Sequence, residues 1–134
     1  MPERTIIITG ASDGIGAAAA RQLAGQGDHL VLVGRSEAKT AACARALGAP
    51  YLCADFTRLG EVRVLAEHLG VLYPRIDVLA NNAGGIMGKR EITVDGFEKT
   101  LQVNHLAPFL LTNLLLDILT ASGSPPSHLV GPSA

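Results

Sequence analysis

Four short runs of apolar and β-branched residues, at 5–9, 29–33, 51–54 and 76–80, punctuate the chain, and none alternates apolar with polar positions. A strand that is wet on one face alternates; a run that does not is buried on both faces, as in a parallel sheet covered by helices. Between the runs lie segments rich in alanine and leucine and long enough for helices. The first spans about 14–26. The second follows Ser36, an N-cap residue with Glu37 in the first turn, and stops at Gly48, a C-cap residue. The third spans about 59–72, where Pro74 prevents continuation, and the fourth and longest about 95–119. This β-α-β-α-β-α-β-α order predicts an α/β fold, a doubly wound parallel sheet with right-handed crossovers. Residues 1–121 are expected to form one domain and 122–134 an irregular tail, in which 128–130 would make a poor fifth strand beside Pro125, Pro126 and Pro132.

Composition narrows the function. The 134 residues are 48% hydrophobic and 17% charged, a globular balance. The net charge is -1 and no basic cluster exceeds two residues, which gives nucleic acid no electrostatic footprint. Met1-Pro2-Glu3-Arg4 leads into only three isoleucines, too short for a signal-peptide core. The apolar stretch 109–119 is broken by Thr112, Asn113 and Asp117, so no membrane span is expected. Cys43 and Cys53 lack metal-ligand spacing and read as two reduced core thiols of a cytoplasmic protein. His29, His68, His105 and His128 share no ligand spacing, and no metal site is expected.

The chemistry is concentrated after the first run, in Thr9-Gly10-Ala11-Ser12-Asp13-Gly14-Ile15-Gly16. Gly10 permits a sharp turn, Gly14 leaves no side chain between backbone and a pyrophosphate, and Gly16 lets helix approach strand. The helix start then offers free N–H groups and a positive dipole end to phosphates. Together with Asn81-Asn82-Ala83-Gly84 after the fourth run, this spacing resembles the classical short-chain dehydrogenases/reductases, over about residues 5–119. The resemblance implies a Rossmann-like sheet and nicotinamide dinucleotide binding by Gly10, Ser12, Asp13, Gly14, Ile15, Gly16, Asn82, Ala83 and Gly84.

The second run ends in Val33-Gly34-Arg35-Ser36, with no acid for ribose hydroxyls. Arg35 offers a forked guanidinium, and Ser36 a hydroxyl and a helix-start N–H, to the 2′-phosphate of NADP. NADP is therefore expected over NAD, with Asp13 counting mildly against it and a solvated loop arginine as the alternative for Arg35. Asp55-Phe56 matches the family position where an aspartate meets the adenine amino group; as a bare feature, Asp55 equally suits a turn or a helix N-cap.

Val103-Asn104-His105 matches the family's helix asparagine, which makes Asn104 the one catalytic candidate that the resemblance supplies. Pro108 lies four residues on and has no N–H for the Asn104 carbonyl, which predicts a kink and a carbonyl available to water; the alternative is a tolerated proline of no functional meaning. Relatives dimerise through this helix, so a homodimer is implied by resemblance. The family's Tyr-x-x-x-Lys is missing: Tyr51 is followed at the fourth place by Asp55 and Tyr73 by Asp77. The chain is expected to be truncated after about the fourth or fifth strand, a fragment or a frameshift product inactive alone, of an oxidoreductase acting on a small alcohol or carbonyl. A non-catalytic dinucleotide-binding fragment and a dimerising interaction fragment are the alternatives.

Overall fold

The computed structural model describes residues 4–12, 14–84, 89–121 and 129–130. Five parallel strands form one sheet in the order β3-β2-β1-β4-β5: β1 (Thr5–Thr9), β2 (His29–Gly34), β3 (Tyr51–Cys53), β4 (Val78–Ala80) and β5 (Leu129–Val130). The central strand β1 pairs Thr5 through Thr9 with His29 through Val33 on one side, and Ile6 through Ile8 with Val78 through Ala80 on the other. The chain thus winds outward from β1 to β3, then crosses back to lay β4 on the far side of β1. That reversal opens a crevice at the carboxyl ends of β1 and β4, where ligands bind in open α/β sheets.

Helices cover both faces, which is why the strand runs do not alternate in polarity. Ile6, Ile8, Leu30 and Leu32 face one side, packed with Ala20 of α1 (Gly14–Leu23) and Ala44 of α2 (Glu37–Leu47). Ile7, Val31, Val33 and Leu79 face the other, against Val62, Leu65 and Leu69 of α3 (Leu59–Leu72) and Leu111 and Leu115 of α5 (Ala107–Ala121). Each fully buried side chain of this size contributes roughly 1.5–3 kcal/mol.

The expected caps of α2 are present. Ser36 Oγ accepts from the Lys39 N–H at 3.3 Å, and Gly48 takes the left-handed conformation (φ 64°). α3 has its expected bounds, while α1 stops at Leu23, ahead of a turn through Gly25 and Gly27. The fourth strand is shorter than 76–80, but Asp77 extends the register: its N–H donates to the Thr5 carbonyl and its carboxylate accepts the Thr5 N–H, each at 2.9 Å. Of the expected fifth strand, Leu129–Val130 pairs with Leu79 and Ala80. One thiol departs from expectation. Cys43 is half-buried, but Cys53 is exposed on edge strand β3, where its thiol donates to Glu37 Oε2 at 3.2 Å.

The largest difference concerns the expected helix at 95–119. Residues 91–98 form a small hairpin, with an antiparallel bridge between Ile92 and Glu98 and a 2.8 Å bond from the Thr93 N–H to the Phe97 carbonyl. Val94, Phe97 and Leu101 mimic helical spacing, but Asp95-Gly96 is a turn signal, and Gly96 adopts φ 86°. Glu98 then caps a single turn, α4 (Lys99–Leu101), by accepting from the N–H groups of Thr100 and Leu101 at 3.0 Å each. A π-helical segment follows, Gln102–Leu106, and joins α5. Ahead of Pro108, where a kink was expected, the structure shows a widened turn: the Ala107 N–H reaches back to the Gln102 carbonyl, five residues away. Asn104, on this segment, is itself engaged within the fold.

Gln102 is wholly buried and ties three segments together. Its Nε2 donates to the Phe56 carbonyl and to Asp95 Oδ2, both at 3.0 Å, and its Oε1 accepts from the Thr93 hydroxyl at 2.5 Å. Asp95 Oδ2 also accepts the Leu59 N–H at 2.8 Å, capping α3, whose own N-cap residue Arg58 gives no side-chain bond. Replacing Gln102 by alanine strands several buried polar groups at once. The expected loss is about 2–4 kcal/mol of unfolding free energy in urea at pH 7, and a loss below about 0.5 kcal/mol would refute the role of this clamp.

Candidate functional site

The crevice between β1 and β4 is held by one hydroxyl. Thr9 is wholly buried, and its Oγ1 donates to the Ala80 carbonyl at 3.3 Å while accepting the N–H groups of Asn82 and Ala83 at 2.9 and 3.0 Å. This bonds the end of β1 to the loop after β4 and sets that loop against the glycine turn. Gly10 takes φ 63°, and a Cβ on it would stand 2.8 Å from the Ala83 Cα. Gly16 lies so close to the Gly10 carbonyl and the Asn82 Nδ2 that a Cβ would collide with both. Of the three sequence glycines, two are thus required by contact. Gly14, at φ 56°, opens α1 with no described atom within 4 Å of where its Cβ would stand. Among the described residues, nothing therefore crowds the first residue of this ten-residue helix.

The other expected positions fall into three groups. Ser12 is half-buried and its carbonyl receives the Cys43 thiol at 3.6 Å. Asp13 and the side chain of Ile15 lie outside the described residues, as do residues 85–88 of the loop after Gly84. At the far end of the crevice, Arg35 is exposed after β2 and makes no ion pair with a described residue, whereas the Ser36 hydroxyl is used as the α2 cap. Asp55 is a turn residue: its Oδ1 accepts both the N–H and the hydroxyl of Thr57, at 2.9 and 2.6 Å. Burial opposes its ionisation, but the Thr57 bonds and the Arg35 and Arg58 charges outweigh it and hold the carboxyl below its ordinary range. Phe56 departs from the expected ligand role, because its ring is 5% exposed in the core and its carbonyl already accepts from Gln102.

Gly84, Asn104 and Asn81 complete the near end. A Cβ on Gly84 (φ 153°) would meet the Asn104 Oδ1, so the helix asparagine lies directly against the loop that follows β4. Sequence reasoning passed over Asn81, the first residue of Asn81-Asn82-Ala83-Gly84. Its Nδ2 donates to Thr112 Oγ1 of α5 at 3.0 Å, and its buried Oδ1 has no partner among the described residues. A two-asparagine run directly after a buried strand was the available signal.

These features fit a dinucleotide: glycines with no room for a side chain, an open helix start, and an exposed arginine where the strand-end acid is missing. Among the described residues, no three His, Cys, Asp or Glu side chains gather to hold a metal ion, and no helix is long and apolar enough to cross a membrane.

Comparison with known proteins agrees with this geometry. A sequence model of the short chain dehydrogenases matches residues 4–125. A Streptomyces sp. (strain C5) protein named as a daunorubicin C-13 ketoreductase is 54% identical over 125 residues, covering 89% of this chain and 44% of that protein. Human retinol dehydrogenase 13 is 38% identical over 141 residues, covering 100% of this chain and 42% of its own length. A Pseudomonas aeruginosa protein solved as an active-site complex with NADP superimposes with a TM-score of 0.78 at 33% identity, covering 89% of this chain and 49% of that one. The chain therefore spans less than half the length of each of these relatives.

Two outcomes test the site's construction. Thr9→Val keeps the shape but leaves the Ala83 N–H without its acceptor and the Asn82 N–H with only its second one, the Ala80 carbonyl at 3.0 Å; about 1–3 kcal/mol of stability should be lost. Amide exchange at those two positions should quicken, whereas unchanged exchange would show that the hydroxyl is not the fastener. For Asp55, the folded carboxyl lies below the unfolded one, so its stabilisation is present above the unfolded value and lost as pH falls. Accordingly, the stability gap between wild type and Asp55→Asn should shrink between about pH 5 and pH 3, and a gap that widens on acidification would refute the assignment.

Proposed function

Because the chain belongs to the short-chain dehydrogenase family, we propose that it is the NADP(H)-binding half of an oxidoreductase acting on an alcohol or carbonyl substrate. The observation that carries this reading is the crevice itself, where Thr9 fixes Asn82 and Ala83 against Gly10 and Gly16 with no space for a Cβ at either glycine. A bound dinucleotide supplies or accepts the hydride. The chain's own residues bind and orient: Gly10, Ser12, Gly14 and Gly16 at the pyrophosphate, with Asp13 and Ile15 in the same stretch of sequence, Asn82, Ala83 and Gly84 along the β4 side, and Asp55 at the adenosine end.

The preference for NADP rests on Arg35, an exposed cation at the place where an NAD site presents a carboxylate. Relatives named as a ketoreductase and as retinol and polyprenol dehydrogenases support an alcohol or carbonyl substrate. Two structural neighbours, one from Pseudomonas aeruginosa and one from Shigella flexneri, were solved with NADP, which supports the cofactor. Asn104 is assigned as the catalytic helix residue, a reading supported by its side-chain amide lying against Gly84.

Protonation of the forming alkoxide needs an acid at that end, and neither tyrosine of this chain stands there. Tyr51 lies on edge strand β3 with its hydroxyl on Glu37 Oε1 at 2.6 Å, and Tyr73 lies at the end of α3. The 134 residues therefore bind without turning over. A homodimer through α5 is a second reading, favoured by Phe109, Leu114 and Leu116, apolar residues exposed on the helix beside Asn113 and Asp117.

Fluorescence titration of the 134-residue chain tests the assignment. NADPH should bind on the order of tenfold tighter than NADH, with the difference removed in Arg35→Asp, and no turnover should follow on a panel of ketones and aldehydes. Equal affinities, or tighter NADH, would sink the NADP assignment; turnover would sink the claim that these residues lack a proton donor.

A further inference from the structure

A second arginine shares the end of the crevice with Arg35. A cavity of about 180 Å³ is lined by Arg35, Thr57, Arg58 and Lys99, together with Glu91, Ile92, Thr93 and Val94 of the hairpin. The two arginines come from different elements: Arg35 follows β2, and Arg58 is the N-cap residue of α3. Neither makes an ion pair with a described residue, whereas Lys99 is partly offset by Glu91, 3.7 Å away. We infer that Arg58 is a second specificity-determining residue which, with Arg35, holds the 2′-phosphate of a 2′-phosphoadenosine, the hairpin residues Ile92 and Val94 forming an apolar wall beside it.

The charges support this. A phosphate at neutral pH carries between one and two negative charges and several acceptor oxygens, more than one guanidinium satisfies. Two like charges lining one small cavity repel each other until an anion arrives, so their convergence favours an anionic ligand. Asp55 lies near both arginines, but its Oδ1 is committed to Thr57, and it is drawn below its ordinary range partly by their charges. The position of Arg58 is not accidental. Its backbone N–H bonds the Asp55 carbonyl at 3.0 Å, and its carbonyl accepts from Glu61 and Val62, while its exposed side chain is left out of the helix cap. The cap is supplied by Asp95 on the hairpin, because a guanidinium has no acceptor to offer the helix N–H groups, and the Arg58 side chain stays exposed at the cavity. Gln102 then fixes the hairpin wall through Thr93 and Asp95.

The inference rests on the crevice being a dinucleotide site, and the test separates the two. Adenosine 2′,5′-bisphosphate and 5′-AMP are titrated calorimetrically into the full chain, as wild type, Arg58→Gln, Arg58→Lys and Arg35→Gln, with NADP and NAD as parallel ligands. Arg58→Gln should weaken the bisphosphate and NADP on the order of tenfold and leave 5′-AMP and NAD unchanged, and Arg58→Lys should restore part of the loss. An unchanged melting temperature for Arg58→Gln is expected from its exposed, uncapping side chain. If Arg58→Gln weakens all four ligands equally, or none, while Arg35→Gln abolishes the NADP preference, the role of Arg58 is overturned and the dinucleotide reading stands. If wild type binds none of the four, the dinucleotide reading falls and the Arg58 subsite with it.

Discussion

The Thr9 hydroxyl is the interaction on which the rest of the crevice depends. A threonine hydroxyl has one proton and two lone pairs, and here all three are used: donation to the Ala80 carbonyl and acceptance from the Asn82 and Ala83 N–H groups. Two of the partners are backbone donors just past a strand end, where the ladder no longer satisfies them. The ladder between β1 and β4 ends at Ile8 and Ala80, so no strand bond holds the chain beyond it. A side chain has to do so, and it places the loop after β4 on top of the glycine turn.

From that fastening the site divides into two physically different ends. Near Thr9 it is steric: Gly10, Gly16 and Gly84 are each overlaid by backbone or an asparagine amide, with no room for a side chain. Farther out it is electrostatic, with Arg35, Arg58 and Asp55 at the ends of β2 and β3. Gln102 links the second end to the long helix, since its amide joins the Phe56 carbonyl to the hairpin that walls the arginine cavity. A buried amide with both of its ends bonded in a low-dielectric setting is a rigid link, and one left half-bonded is costly.

Much of this was legible in the residue order. The unbroken apolar runs of Thr5–Thr9 and His29–Gly34 announced strands covered on both faces, and Ser36 and Gly48 bounded α2 where the caps are found. Gly10 and Gly16 were readable because only glycine tolerates such approach, and Asn82-Ala83-Gly84 through its resemblance to the family's motif. The hairpin at 91–98 was not. Its apolar residues fall at helical intervals, and the deciding contacts, from Thr93 and Asp95 to Gln102 and Leu59, depend on tertiary partners that local periodicity does not contain. Phe56 was misassigned for a similar reason: adjacency to Asp55 carries no information about which face of the turn its ring takes. Thr9 was passed over because a threonine at the end of an apolar run looks like one more β-branched residue.

The borrowed cap of α3 bears on the order in which the molecule comes together. The Leu59 N–H finds its acceptor in Asp95, 36 residues later in the chain. A nascent chain therefore exposes the start of α3 to water until the hairpin has emerged and Gln102 has closed over it. The cavity between Arg35 and Arg58 has no outer wall before then. The arginine-lined end of the crevice is thus a late product of folding, formed by contacts distant in sequence, while the glycine turn at its other end opens directly out of β1.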